Sequence, residues 1–283
     1  TQEASADQAA LTFLDRSHQS ARGLLQFFEI LEQEELLTAA HQDPYLRTHP
    51  LTSQRVDYVR NHVLHSPYSD AKDPPEWMEM HRRMKAKLAG FLQPPQPTLA
   101  ALKPDDNSIA TRYERAIAEY RIPDLKKAVP EIDALIHDEP NNPYFRELKG
   151  QMLFENGRIG DAVAPYEEAV RLKPDNALLR IEAAQVQLET NDPALVQKAL
   201  TNLNDAIQFE DRNPDSWHFL AIAYGRSGNM GMMALSLAEE GIANGDFTQA
   251  RQQAVRALKL LPPGVARQRA QDLQGEAKRE GKN

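Results

Sequence analysis

Small residues return every 34 positions through the second half of this 283-residue chain. Ala116, Gly150 and Ala184 stand 34 apart, and Ala221 follows after 37. A second series, Ala128, Ala162, Ala199 and Met233, is spaced by 34, 37 and 34. Both series lengthen by three at the same place, so one insertion near 191–196 accounts for both. Pro140 and Pro174 are again 34 apart. A period of this length marks a supersecondary unit stacked on copies of itself, because one unit alone cannot bury its apolar face. A small side chain at a fixed point in each unit lets neighbouring helices approach closely. Gly157 and Gly228 fall between helices, where a permissive backbone helps the chain reverse. Units are predicted at 109–142, 143–176, 177–213 and 214–246. Gly245, Phe247, Ala250, Ala254, Ala257 and Pro262 read as the second half of a further unit that overlaps the fourth. The array thus covers 109–262, and 263–283 reads as a polar capping helix fraying into a disordered tail.

What precedes the array differs in kind. Pro94, Pro95, Pro97 and Pro104 crowd residues 92–108, which reads as a semi-rigid linker unable to sustain a helix. Before it, residues 1–91 carry four helical patterns. Asp7, Leu11 and Leu14 share one face; Leu24, Phe27, Phe28 and Leu31 follow behind the cap Ser20; Val56, Val59 and Val63 follow Thr52 or Ser53. Pro75 suits a first helical turn, and Trp77, Met80, Met84, Leu88 and Phe91 form a stripe after it. Residues 42–51 hold two prolines and several polar groups and read as a loop. With no strand-like alternation, the fold class is all-α: a helical module followed by an α-solenoid.

Composition narrows the function. A net charge of −8 argues against a nucleic-acid-binding face. The absence of cysteine excludes thiol catalysis, disulfides and thiolate metal sites. No segment approaches the roughly 20 apolar residues of a membrane helix. His62 and His65 stand three apart on a helical pattern, a spacing that binds metals, but without a third ligand nearby they read as a packed or solvated pair.

The 34-residue helix–turn–helix unit is the tetratricopeptide (TPR) signature. Three pieces of the first half resemble the zinc metallopeptidase family that includes HtpX, the prenyl-protein proteases and BepA-like proteases. Glu3-Ala4-Ser5-Ala6-Asp7 matches that family's Glu-x-x-x-Asp. Thr48-His49-Pro50, followed by Arg55, matches its Thr-His-Pro loop and the Arg after it. The helix from Trp77 to Leu88 looks like the segment that joins protease to repeats in BepA-like members. Taken with the array, the resemblance covers the whole chain and implies its carboxy-terminal part of such a peptidase. It implies that Glu3 is a zinc ligand, that Asp7 supports a ligand histidine, and that His49 and Arg55 belong to the active site. It also implies a periplasmic enzyme of envelope and outer-membrane protein quality control. The His-Glu-x-x-His that supplies two ligands and the general base in such sites occurs nowhere in the 283 residues. Zinc is therefore expected in the intact protein and not in this chain, which is expected to be inactive alone.

First helices of TPR units line a concave groove. Projection predicts Tyr113, Ile117 and Tyr120 from the first unit, and Tyr144, Glu147, Gln151 and Phe154 from the second. The third supplies Leu178, Ile181, Gln185 and Leu188, and the fourth Asp215, His218 and Ile222. Such a surface suits extended or unfolded segments of partner proteins, and it lacks the basic set that grips a terminal carboxylate. The competing reading is a non-enzymatic TPR scaffold or chaperone-like adaptor.

Overall fold

The computed structural model describes residues 2–35, 53–122 and 124–281. Among these the regular elements are all helices. They form two compact units, Thr1–Met84 and Lys85–Asn283, the division falling inside one helix.

The first unit holds α1 (Gln2–Arg16), α2 (Arg22–Glu35), α3 (Ser53–His65) and the start of α4 (Pro75–Leu92). Its core is Leu11, Ala21, Phe28, Val56, Val59 and Val63, with Leu14, Leu24 and Leu31 packed against it. The connection after α3 is sewn down by polar groups. Ser69 donates to the Val63 carbonyl at 2.5 Å, while Ser20 and the Arg22 Nε both donate to the Ser69 carbonyl. His18 stacks on Tyr68 with ring centroids 4.5 Å apart.

The α4 stripe departs from expectation. Trp77, Met80, Met84 and Leu88 are exposed, whereas Ala86 and Gly90 are buried. Close approach selected the helix face with the small residues: a Cβ on Gly90 would lie 2.9 Å from Ile117. The proline-rich stretch departs too. Residues Pro95–Ala101 form a short helix, α5, with Pro94 at its N-cap and Pro95 in its first turn. Prolines at a helix start lose no hydrogen bond, since those N–H groups have no intrahelical acceptor.

The second unit continues with α6 (Ile109–Arg121), α7 (Leu125–Asp138), α8 (Pro143–Glu155), α9 (Ile159–Leu172), α10 (Ala177–Glu189) and α11 (Pro193–Phe209), followed by α12 (Pro214–Arg226), α13 (Met230–Ala243), α14 (Phe247–Leu260) and α15 (Val265–Glu280). Consecutive helices pair as antiparallel hairpins. Asn142, Asn176, Asp192, Asn213, Asn229 and Asp246 cap helix starts with their side chains, and Gly157, Gly228 and Gly245 turn the chain at φ of +77°, +78° and +72°. The repeating small residues sit at the contacts. Ala116, Ala128, Ala162, Ala184 and Ala199 are 0% exposed. A Cβ on Gly150 would stand 2.6 Å from the Tyr166 ring. Met233 replaces the usual small residue, and Gly225 opposite it makes room, a Cβ there lying 3.1 Å from the Met233 sulfur.

Two repeat assignments sharpen. The three inserted residues are absorbed by α11, which has 17 residues where α9 and α13 have 14. The segment read as the second half of an overlapping unit is instead α14, the first helix of a fifth pair closed by α15. The polar α15 docks through Ala270, Leu273 and Ala277. The end of the expected tail, residues 282–283, lies outside the described residues.

These contacts lead to a paired test. Gly150→Ala is expected to cost about 1–3 kcal/mol through overpacking against Tyr166. Gly160→Ala, which meets nothing within 4 Å, is expected to gain about 0.5 kcal/mol. Urea unfolding of each variant measures both.

Candidate functional site

The residues picked out near the start of the chain converge in space. Glu3 and Asp7 lie one turn apart on α1, and Arg55 reaches them from α3. Its Nε donates to Asp7 Oδ2 at 2.6 Å and its Nη2 to Asp7 Oδ1 at 2.9 Å. The same Nη2 is 3.3 Å from Glu3 Oε2. Asp7 is 5% exposed. The guanidinium carbon lies 5.2 Å from the centre of the Phe28 ring, which ties the cluster to the core. A two-pronged pair of this kind fixes both partners in direction as well as distance. It holds α1 in register on α3 and presents Glu3, whose side chain is 33% exposed, at the edge of the cluster.

His49 lies outside the described residues. His62 is turned to Asp15, 3.2 Å away, and Asp15 also accepts from the Ser66 hydroxyl at 2.7 Å. His65 Nδ1 meets the Asn61 carbonyl at 2.7 Å. Among the described residues no group of three His, Cys, Asp or Glu side chains is placed to hold a metal ion. Of the two carboxylates, Glu3 keeps the more open side chain, and Arg55 holds it beside Asp7.

The predicted groove divides by burial. Tyr144, Leu178 and His218 are exposed, and Gln151, Phe154 and Gln185 are partly open. Tyr113, Ile117, Tyr120, Ile181 and Leu188 are instead sealed at 0–6% exposure. Projection along a single helix ignores the neighbours. Ile117, for example, is covered by the last turns of α4, the helix that carries Gly90. Tyr113 packs edge-on against Phe145, with ring centroids 5.3 Å apart. His218 Nδ1 is 3.1 Å from Glu240 Oε1.

Beside this wall lies an acidic group that pattern reading recognised only in part. Glu147 on α8 is 8% exposed and accepts from Lys87 at 3.4 Å. Burial pushes its carboxyl above the usual range, against the pull of Lys87. Glu182 on α10 is pushed up to about 7, first by burial and then by the charge of Glu147. Tyr166 on α9 is pushed up by burial and by Glu182, Glu147 and Glu155. Tyr120 donates to Glu155. Only Glu147 falls on the groove register; Glu182 sits one residue out of phase, and Lys87 belongs to a different helix.

Two tests follow. Arg55→Ala leaves Asp7 buried without its cation and is expected to cost the first unit about 3–5 kcal/mol. Arg60→Ala breaks exposed pairs to Asp57 and Glu29 and is expected to cost less than about 1 kcal/mol. Trp77 fluorescence in a Trp217→Phe background follows that transition. For Glu182, the raised value means that the folded chain binds more protons than the unfolded one between the ordinary carboxylate range and about 7. Stability contributed by protonated Glu182 is therefore present at low pH and lost as pH rises through that window. Glu182→Gln is expected to stabilise the second unit by about 1–3 kcal/mol at pH 8 and by close to nothing at pH 4, as read by Trp217 fluorescence during denaturation.

Comparison with known proteins follows the same division. Residues 1–63 match the family described as peptidase family M48. Residues 112–177 match the family described as tetratricopeptide repeat. The beta-barrel assembly-enhancing protease of Yersinia pestis is 22% identical over 256 residues, covering 88% of this chain and 51% of that protein. The chain thus spans about half the length of the curated relative it matches. Among solved structures, MamA is 17% identical, with 60% of this chain and 86% of that one covered and a TM-score of 0.47. YrrB, described as a TPR protein with an unusual peptide-binding site, is 16% identical, with coverages of 65% and 95% and a TM-score of 0.48. A thermophilic TPR protein of Thermus thermophilus is 17% identical, with coverages of 72% and 100% and a TM-score of 0.42. The two family matches fall in the order of the two units, so the chain is similar to a BepA-like peptidase of family M48 in its first part and to tetratricopeptide-repeat proteins in its second.

Proposed function

We propose that this chain is part of a periplasmic zinc metalloendopeptidase of envelope and outer-membrane protein quality control, and that its TPR groove binds the substrates or partners. The observation that carries the reading is the joining of Glu3 and Asp7 by one guanidinium, inside the segment that matches peptidase family M48. Those are the residues the family resemblance singles out, and they meet across about 50 positions of sequence. A family-M48 zinc would supply a Lewis acid and a water acidic enough to attack a peptide carbonyl at neutral pH. In this chain Glu3 is the residue to hold that metal, and Asp7 orients a histidine ligand. Arg55 fixes both carboxylates, and His49 belongs to the loop beside them. The groove role rests on the exposed part of the predicted wall, Tyr144, Leu178 and His218 with Gln151 and Gln185, which offers apolar and amide contacts to an extended polypeptide. Among the described residues no helix is long and apolar enough to cross a membrane.

The test uses the whole protein. Purified with its native metal, it is expected to hold one zinc and to cleave unfolded β-casein. Glu3→Gln is expected to lose the zinc and at least 100-fold of the cleavage rate while keeping its melting temperature. Deleting residues 109–283 is expected to spare zinc binding and reduce cleavage of envelope substrates. A whole protein that binds no zinc and cleaves nothing would instead establish the non-enzymatic scaffold.

A further inference from the structure

A cleft of about 610 Å³ opens where the start of α14 meets the end of α15. That volume falls within the roughly 300–1,000 Å³ of clefts that hold ligands. Its walls join an apolar part, Phe247 and Val255, to a polar part, Thr248, Arg251, Gln252 and Lys278. None of the residues that line it is acidic, in a chain with 41 acidic and 33 basic residues. Arg251 and Lys278 are exposed, and among the described residues neither forms an ion pair or a side-chain hydrogen bond. Cations nearby are already engaged. Arg269 grips Glu239 with bonds of 2.6 and 2.7 Å, and Arg267 donates to the Leu261 carbonyl at 2.9 Å. Asp246, just before the cleft in sequence, caps α14 by accepting from the Gln249 N–H.

The cleft continues the groove register. Thr248, Arg251 and Val255 are the second, fifth and ninth residues of α14, as Tyr144, Glu147 and Gln151 are of α8 and Leu178, Ile181 and Gln185 of α10. In α6 the fifth residue is Tyr113, sealed against Phe145 of the following first helix. Among the described residues no first helix follows α14, and Arg251 at the same position stands open. The four units legible in the sequence hold no basic set for a terminal carboxylate. The fifth pair brings one, shared between its two helices.

Two unanswered cations beside an apolar wall suit a group whose anion and apolar body are a few bonds apart. The last residue of a polypeptide has that form, with a carboxylate and a side chain on one carbon. Its carboxylate accepts charge-assisted hydrogen bonds from the cations, and its side chain covers Phe247 and Val255. Thr248 and Gln252 are left for the last peptide unit. An internal aspartate or glutamate brings chain on both sides of itself, and past α14 the described residues offer no further first helix to carry the second side. We propose that this cleft anchors the carboxyl-terminal residue, an apolar one, of a polypeptide lying in the TPR groove. The proposal rests on the groove reading above and deepens it.

The experiment uses the 283-residue chain and three fluorescent octapeptide pools that end in leucine. The first ends in a free carboxylate and the second in an amide. The third is amidated and carries an internal aspartate. All other positions are randomised among Ser, Ala, Phe and Gln. Anisotropy at pH 7.5 is expected to show the free-carboxylate pool binding about 10-fold more tightly than the other two. Arg251→Gln and Lys278→Gln are each expected to shrink that difference, and together to bring the pools within about 2-fold. Arg256→Gln removes an exposed cation of α14 outside the cleft and is expected to leave the difference intact. Melting curves confirm that each variant is folded. Equal affinity of the carboxylate and amide pools for the unsubstituted chain overturns the anchor and leaves groove binding standing. An internal-aspartate pool that binds as tightly as the free carboxylate overturns it too. So does a difference that survives the double substitution, or one that Arg256→Gln removes as well. Binding of none of the pools removes the groove reading along with it.

Discussion

Everything in the repeat unit depends on how near two helix axes can come. The residue at the crossing sets that distance, and here it is a hydrogen or a methyl group. Gly150 has the face of Tyr166 against it, Ala116 and Ala184 are wholly enclosed at equivalent places, and Ala199 is as fully enclosed in the second series. Close axes bring the flanking Ile132, Leu135, Leu148 and Leu203 into their clusters, and those buried side chains carry the hydrophobic stabilisation. The exception shows the same rule. Where Met233 brings bulk to the crossing, Gly225 removes it from the other side. Volume is conserved across the pair even though neither position keeps its usual residue.

The first unit is built on a different principle. Its apolar core is small, and the registration of α1 on α3 comes from charge. Arg55 spends its donors on two carboxylates and lies over Phe28, so one side chain links the polar cluster to the hydrophobic one. Direction matters more than strength in such an arrangement. A pair buried this deeply breaks roughly even against an apolar substitute in free energy. What it provides is a fixed aim for the carboxylates.

The period of 34 made the array legible because several residues must agree in phase, and packing enforces the agreement. Glu3, Asp7 and Arg55 were legible as a motif, and the fold brings them into one cluster. Less legible was anything that depends on a neighbour the period does not include. Tyr113 and Ile117 keep groove spacing but face other elements of their unit, so they are sealed. The Trp77, Met80 and Met84 stripe has ideal helical spacing and still stands exposed, because Ala86 and Gly90 permit the tighter contact. Proline content argued against any helix at 95–101, yet proline is harmless where an N–H has no acceptor. Glu182 is one residue out of phase with the groove and becomes notable only when Glu147 of the adjacent unit is placed beside it.

The lengthened α11 has its own consequence. Ala162 is the fourth residue of α9 and Ala199 the seventh of α11, with ten residues following each, so the growth is confined to the leading end. Everything from the crossing onward keeps its phase, and Pro193 and Ala194 project as an exposed ledge. The array has in this way already accommodated extra chain without disturbing its stack. That ledge is a natural seam of the molecule, a place to graft a loop, an epitope or a label while the superhelix on either side stays as it is.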